Sequence, residues 1–195
     1  MNYPKIKNIT KTLLSKNWYK LYKYIFDFQL NNGEWVTQER EAYDRGNGAV
    51  ILLYNKEKQT IILTKQFRIP TYVNGNETGF MIEACAGILD ENNPVEEIKR
   101  ETEEETGYRI TQVEKVFEMY MSPGSVTEKL YFFVAEYDSN MKVSDGGGAI
   151  NESEDIEVLE LSFNQALSMV KEGEIIDAKT IILLQYAELN QLLNG

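Results

Sequence analysis

Apolar and polar residues fall in short blocks along most of the chain, and the period of each block predicts its element. Residues 19–30 and 34–43 are rich in tyrosine, phenylalanine, tryptophan and valine, with Asn32-Gly33 between them. That pattern predicts a hairpin closed by a type I′ turn. Residues 19–28 carry apolar or aromatic groups on both faces, as a strand covered on both sides does, although a larger sheet within one monomer explains this equally well. A second strand pair is predicted at Ala49–Tyr54 and Thr60–Phe67, joined by the polar Asn55-Lys56-Glu57-Lys58. Phe80–Ala86 reads as one further strand, and more are expected at 113–121, 129–137 and 156–161.

Between these strands the pattern turns helical. Pro94 suits a first helical turn, Asn93 its cap and Gly107 the position just past the end, so a helix is predicted over 94–106. Val95, Ile98 and Thr102 lie on one side of it. Two more helical patterns run over 163–172 and 177–193. Ser122-Pro123-Gly124-Ser125 reads as a turn. The 138–155 loop, which contains Gly146-Gly147-Gly148, is too long for a plain connection and is expected to be functional or mobile. There is no internal repeat and no low-complexity linker. Mixed strands with segregated helices give an α+β fold or an α/β/α sandwich.

Composition narrows the chemistry. The 195 residues suffice for one well-buried domain, and 43% hydrophobic with 26% charged residues is ordinary for a globular chain. A formal net charge of −11 argues against nucleic acid or an anionic membrane as partner. An anionic small substrate stays possible, because local cations reverse the field inside a cleft. The chain has no histidine. That excludes a serine–histidine triad, a histidine base and a His-ligated zinc site, and leaves acid–base chemistry near neutral pH to carboxylates, lysine, tyrosine or metal-bound water. The single cysteine, Cys85, has no internal disulfide partner and lies in the apolar run FMIEACAG, which reads as a buried strand thiol. With no N-terminal signal segment and no apolar run near 18 residues, a cytoplasmic location is expected.

The segment Gly87 to Tyr108, GILDENNPVEEIKRETEEETGY, is the most informative. Glu101, Glu104 and Glu105 fall within about 100° of arc on the expected helix, forming one acidic stripe. Each like-charge pair costs about 0.2–0.5 kcal/mol in an isolated helix. Glu104 and Glu105 also stand in the last turn, at the negative end of the helix dipole. A bound cation offsets both penalties, and hard oxygen ligands without sulfur or imidazole suit Mg2+ or Mn2+.

The same segment resembles the Nudix box. Gly87, Arg100, Glu101, Glu104, Glu105 and Gly107 match its glycines, arginine and glutamates, and Tyr108 takes the final apolar position. It departs in having one residue fewer between Gly87 and Arg100, in carrying Thr102 where an aliphatic residue is usual, and in having Asn93, or a shift to Glu91, in place of the first-half glutamate. Four further stretches, REAYDRGNGAVILLYN (40–55), QFRIPTYVNGNETG (66–79), YMSPGSVTE (120–128) and EDIEVLEL (154–161), are similar to the GDP-mannose pyrophosphatase subfamily, close to the ADP-ribose pyrophosphatases. The resemblance implies a Nudix fold over 46–195, with a β-hairpin segment over 1–45 exchanged across a homodimer. It also implies Mg2+-dependent cleavage of nucleotide-sugar diphosphates, for GDP-mannose to GMP and mannose 1-phosphate.

Residue by residue, the resemblance makes Glu101, Glu105 and the Ala86 carbonyl metal ligands, with Glu104 on a second ion or orienting water. Gly87 would let backbone approach the phosphates. By spacing alone, Arg100 is placed to hold Glu104 or Glu97, a structural role. Glu128 is the first candidate for the general base. Glu154 is the second, at a family position that also ligates metal. Trp18, Arg40, Glu41, Arg68, Ser153 and Lys179 match positions that contact substrate, while Glu39 stands where relatives tend to carry a basic residue. Core packing is an equal reading for Trp18. Three functions remain in view: a GDP-mannose pyrophosphatase, an ADP-ribose or other nucleotide-sugar pyrophosphatase, and a sensing module without catalysis. Retention of all three box glutamates favours an enzyme.

Overall fold

The N-terminal segment folds as three antiparallel strands rather than the two expected. The computed structural model describes residues 5–89, 93–148 and 155–193. Its first sheet has β1 (Ile6–Lys16), β2 (Lys20–Gln29) and β3 (Trp35–Asp44) in that order. Strand β1 is nearly all exposed, and its pairing with β2 shifts register between Lys7 and Thr10 and between Leu13 and Ser15. Without a buried face it has no clean period-2 pattern to read.

The β2–β3 turn also differs from expectation. Gly33 has φ 90 and Asn32 is not among the positive-φ residues, whereas a type I′ turn needs both. Gly33 donates its backbone N–H to the Leu30 carbonyl at 2.9 Å, and Leu30 donates to the Glu34 carbonyl at 2.8 Å. Those bonds describe a three-residue loop ending in a left-handed glycine.

The chain divides into two compact units. The first comprises the residues up to Asn47 with Ser122–Lys129. Within it Ser122–Ser125 forms the expected turn, closed by Ser125 N–H to the Ser122 carbonyl at 3.1 Å. Tyr43 N–H then donates to the Ser125 carbonyl at 2.8 Å and Thr127 N–H to the Tyr43 carbonyl at 3.0 Å, tying the segment to β3.

The second unit, Gly48–Met121 with the residues from Leu130 onward, is built on a mixed seven-stranded sheet. Strands β4 (Gly48–Asn55), β5 (Thr60–Phe67), β8 (Glu114–Tyr120), β9 (Lys129–Glu136) and β10 (Glu157–Ser162) follow the order β10-β5-β4-β9-β8. Strand β4 is parallel to β9 and antiparallel to β5. All eight residues of β4 are buried, so it lies at the centre with both faces covered.

Helices occupy both faces. Val50, Leu52, Ile61 and Leu63 pack with Phe163 and Ala166 of α3 (Phe163–Glu172) and with Leu183, Leu184 and Ala187 of α4 (Ala178–Leu189). The alternate residues Ala49, Ile51, Leu53 and Ile62 pack with Ile98 of α2 (Pro94–Thr106). This is a three-layer arrangement, with α3 and α4 on one face of the sheet and α2 on the other. A short α1 (Ile69–Val73), not expected from the sequence, follows β5, with Pro70 in its first turn.

The expected single strand Phe80–Ala86 is two strands. β6 (Phe80–Glu83) pairs with β5, whereas β7 (Cys85–Ile88) pairs with β4. The break is at Ala84, whose N–H donates to Thr180 Oγ1 at 2.7 Å instead of to a neighbouring strand.

Candidate active site on the β7–α2 corner

Helix α2 is set by its ends. Asn93 Oδ1 accepts from Val95 N–H at 2.9 Å as the N-cap, and Pro94 occupies the first turn. Gly107 ends the helix in the left-handed region with φ 79, as expected for a C-terminal glycine. The described part of the 138–155 loop then closes the helix end. Gly147 N–H donates to the Glu105 carbonyl at 2.9 Å, Gly148 N–H to the Glu104 carbonyl at 3.1 Å and Val143 N–H to the Gly107 carbonyl at 2.8 Å. Backbone carbonyls that a helix C-terminus leaves unpaired are thereby satisfied. Thr102 is fully buried, and its hydroxyl donates to the Ile98 carbonyl at 2.6 Å, which explains how a polar residue serves at an apolar position.

The helix presents Glu101 and Glu105 towards β7, while Glu104 is exposed and pairs with Arg100. Glu105 is buried, and its Oε2 accepts from Ala86 N–H at 3.3 Å. Glu101 packs over Gly87 so closely that a Cβ on Gly87 would lie 2.2 Å from Glu101 Cγ and 2.6 Å from Oε1. The space above Gly87, expected from the resemblance to admit phosphate, is thus used by the Glu101 side chain. Arg100 is shared more widely than expected, bonding Glu97 and Glu101 and reaching Glu104 Oε2 at 2.5 Å. Burial pushes the Glu101 carboxyl up to about 8, against the Arg100 charge and reinforced by Glu105, Glu104 and Glu97. Cys85 is a buried strand thiol, as expected, and burial, with Glu105 beside it, raises it well above the ordinary thiol range.

The donor chemistry fits a hard divalent cation. Glu101 and Glu105, one turn apart, face the Ala86–Gly87 backbone, and burial, then the neighbouring glutamates, disfavours the charged Glu101 carboxylate, a penalty that a cation beside it would offset. Among the described residues no three acidic or thiol side chains are already grouped to hold an ion. Mg2+ commonly takes only one or two carboxylates, completing its shell with water and substrate oxygens.

The remaining expected residues divide between the units. In the second unit Arg68 and Lys179 are brought together by Glu83. Arg68 Nε reaches Glu83 Oε2 at 2.8 Å, and Lys179 Nζ reaches Glu83 Oε1 at 2.7 Å. In the first unit Glu128 pairs with Arg45 at 3.2 Å. Arg40 donates to the Glu39 carbonyl at 2.7 Å and lies opposite Tyr24 in the sheet, while Glu41 lies opposite Lys23. Trp18, at the β1–β2 turn, is 85% exposed, which overturns the core-packing reading for it. Ser153 and Glu154, like Glu91, lie outside the described residues. The sequence reading missed Glu83, Asp177 and Thr180. Its one available signal was a charged residue, Glu83, inside the apolar run FMIEACAG.

Comparison with known proteins agrees with this geometry. The NUDIX domain family model matches residues 44–184, and the model described as GDP-mannose pyrophosphatase NudK N-terminal domain matches residues 5–43. The chain is 59% identical to a GDP-mannose pyrophosphatase of Pectobacterium atrosepticum, over 92% of each chain. It is 57% identical to those of Yersinia pestis (95% of this chain, 93% of the relative) and Yersinia enterocolitica (97% and 98%). Among solved structures it matches the crystal structure of an ADP compounds hydrolase with a TM-score of 0.69 at 16% identity, over 96% of this chain and 95% of that one, which establishes the shared fold. With a family model spanning most of its length and relatives this similar from end to end, the chain belongs to the Nudix family.

Proposed function

We propose that the protein hydrolyses the diphosphate bond of GDP-mannose, releasing GMP and mannose 1-phosphate, with Mg2+ as its metal and Mn2+ as a substitute. The observation that carries this reading is the intact Glu101, Glu104 and Glu105 set on a helix closed at both ends and packed on Ala86–Gly87. Relatives 57–59% identical, all named GDP-mannose pyrophosphatase, supply the substrate.

Glu101, Glu105 and the Ala86 carbonyl would hold the metal, with Glu154 as a further ligand and Glu104 orienting water. A divalent cation held there would supply positive charge to the diphosphate. Gly87 keeps the backbone of β7 open to Glu101. Arg68 and Lys179 would meet phosphate oxygens, with Arg40, Glu41 and Ser153 as further substrate contacts. Trp18 offers an exposed indole face for stacking on a base. A general base is needed to take the proton from the attacking water, and Glu128 and then Glu154 are its candidates. Removing the base should lower turnover by about 10²–10⁴-fold. Near-normal turnover in Glu128→Gln would pass the role to Glu154.

The reading includes a homodimer that exchanges the N-terminal strands, in the cytoplasm. Charge and exposure support the exchange. Residues up to Asn47 carry eight Lys and Arg against five Asp and Glu, or +3, and the rest carries twelve against twenty-six, or −14. Ile6, Ile9, Leu13 and Leu14 of β1 are exposed. Light scattering should give about twice the 22.5 kDa chain mass, and a value at 22.5 kDa would refute the dimer. A thiol without a disulfide partner is consistent with a reducing compartment, and no helix among the described residues is long and apolar enough to cross a membrane.

Substrate choice is tested by measuring GDP-mannose and ADP-ribose hydrolysis side by side. A higher kcat/KM for GDP-mannose is expected. The reverse ratio would make the protein an ADP-ribose pyrophosphatase, and turnover of neither, with ligand still bound, would favour a sensing module.

A further inference from the structure

Glu83 ends β6 as a charged residue with a side chain only 6% exposed, and both of its oxygens are occupied by cations. Oε2 accepts from Arg68 Nε at 2.8 Å and forms an ion pair with Arg68 Nη2 at 2.8 Å, and Oε1 accepts from Lys179 Nζ at 2.7 Å. We propose that Glu83 is a positioning residue that sets Arg68 and Lys179 side by side as one paired cationic site for the phosphates of a nucleoside diphosphate sugar. The inference rests on the reading that these two cations meet substrate phosphate.

Each cation is also fixed from a second direction. Arg68 caps α1, and its carbonyl accepts from Thr71 N–H at 3.0 Å and Tyr72 N–H at 3.2 Å, so its backbone is held. Lys179 also reaches Asp177 Oδ1 at 2.9 Å. The other Asp177 oxygen is committed to the α4 cap, accepting from Thr180 N–H at 2.9 Å and Thr180 Oγ1 at 2.6 Å. The same Thr180 hydroxyl accepts from Ala84 N–H, next to Glu83 in the chain. The cap of α1, the β6–β7 break and the start of α4 are therefore joined in one hydrogen-bonded group.

The exposure is graded from the anion outward. Glu83 is covered, the Lys179 side chain is 14% exposed and the Arg68 side chain is 39% exposed, so the arginine is partly open to solvent while its anchor is not. Among the described residues no acceptor is bound to Arg68 Nη1. A buried ion pair contributes little net stability compared with apolar side chains of similar volume, and its clearest use is to fix geometry. Here the geometry fixed is an arginine edge beside an ammonium, which matches two neighbouring phosphate oxygens. Holding both cations in place beforehand also reduces the ordering cost of binding.

Glu83→Gln tests this, because glutamine has one acceptor oxygen and turns an NH2 group towards the other cation. The measurements are KM and kcat for GDP-mannose, equilibrium binding of GDP by calorimetry, and the thermal midpoint, each in wild-type protein, Glu83→Gln, Arg68→Ala and the double variant. Glu83→Gln should weaken GDP binding and raise KM by about tenfold or more, the loss of one charge-assisted bond, with kcat changing much less. In the Arg68→Ala background the same substitution should change binding far less, because part of what it positions is gone. Arg68→Ala with unaltered binding would remove the phosphate reading and this proposal with it. Weakened binding in Arg68→Ala but not in Glu83→Gln would overturn the positioning role alone. Equal effects of Glu83→Gln in both backgrounds would overturn it too, by showing that Glu83 acts independently of Arg68. If Glu83→Gln does not fold, Glu83→Asp keeps the charge on a shorter arm and should give an intermediate loss, and wild-type binding in it would refute the proposal.

Discussion

Gly87→Ala is the sharpest single-atom perturbation available at the site. Gly87 pairs with Ala49 inside the sheet and is not among the positive-φ residues, so its backbone accepts an alanine without strain. The added Cβ would nevertheless stand 2.2 Å from Glu101 Cγ, 2.3 Å from Cδ and 2.6 Å from Oε1, where ordinary contact is 3.4–4 Å. The Glu101 side chain must retreat by roughly 1 Å, a misplacement that costs on the order of 10²-fold in rate when it affects a reacting assembly. Overpacking typically costs about 1–3 kcal/mol, and the low end is expected because Glu101 has solvent on one side. The prediction is therefore a fall of about 10²-fold in kcat/KM for GDP-mannose, or about 2.7 kcal/mol of transition-state stabilisation, with a smaller loss of stability. Steady-state kinetics and urea unfolding on the same preparation separate the two. Wild-type turnover in Gly87→Ala would refute the claim that Glu101 must sit where it does.

Two further outcomes follow from the same geometry. Ile98 is fully buried beneath α2, so Ile98→Ala should lose about 2–5 kcal/mol of stability, read as a lower urea midpoint with an unchanged m-value. The raised Glu101 carboxyl gives a pH signature in EDTA. The folded state keeps a proton that the unfolded chain has lost, so stability should fall as pH rises from about 4.5 to about 8. Glu101→Gln should flatten that fall, and an unchanged slope in the variant would remove Glu101 as its source.

Helix α2 was legible in the sequence because its signals are local. The Asn93 cap, Pro94, the apolar Ile98 and Gly107 all lie within its own residues, and so do the three glutamates that point to a metal. The central strands β4 and β5 were legible for a similar reason, as uninterrupted apolar runs. What escaped depends on distant partners. The break between β6 and β7 is made by Thr180, far along the chain, so Phe80–Ala86 reads as one strand until α4 is in place. Glu83 looks like an isolated charge in an apolar run until Arg68 and Lys179 converge on it. Strand β1 lacks a buried face, and the loop beyond Asn31 depends on whether Asn32 joins Gly33 at positive φ, which the Asn-Gly pair alone does not decide. The 138–155 loop read as functional or mobile, but the bonds of its Gly147 and Gly148 to the end of the acidic helix were not legible, because their acceptors lie some forty residues away.

The central claim is that metal-dependent diphosphate hydrolysis depends on the carboxylates facing Ala86 and Gly87. The most direct measurement is release of GMP and mannose 1-phosphate from GDP-mannose with Mg2+, for wild-type protein, for wild-type protein in EDTA and for Glu105→Gln. The account predicts turnover in the first alone, with the variant folded and its thermal midpoint close to wild type. Equal product release from Glu105→Gln, or undiminished release in EDTA, would contradict it.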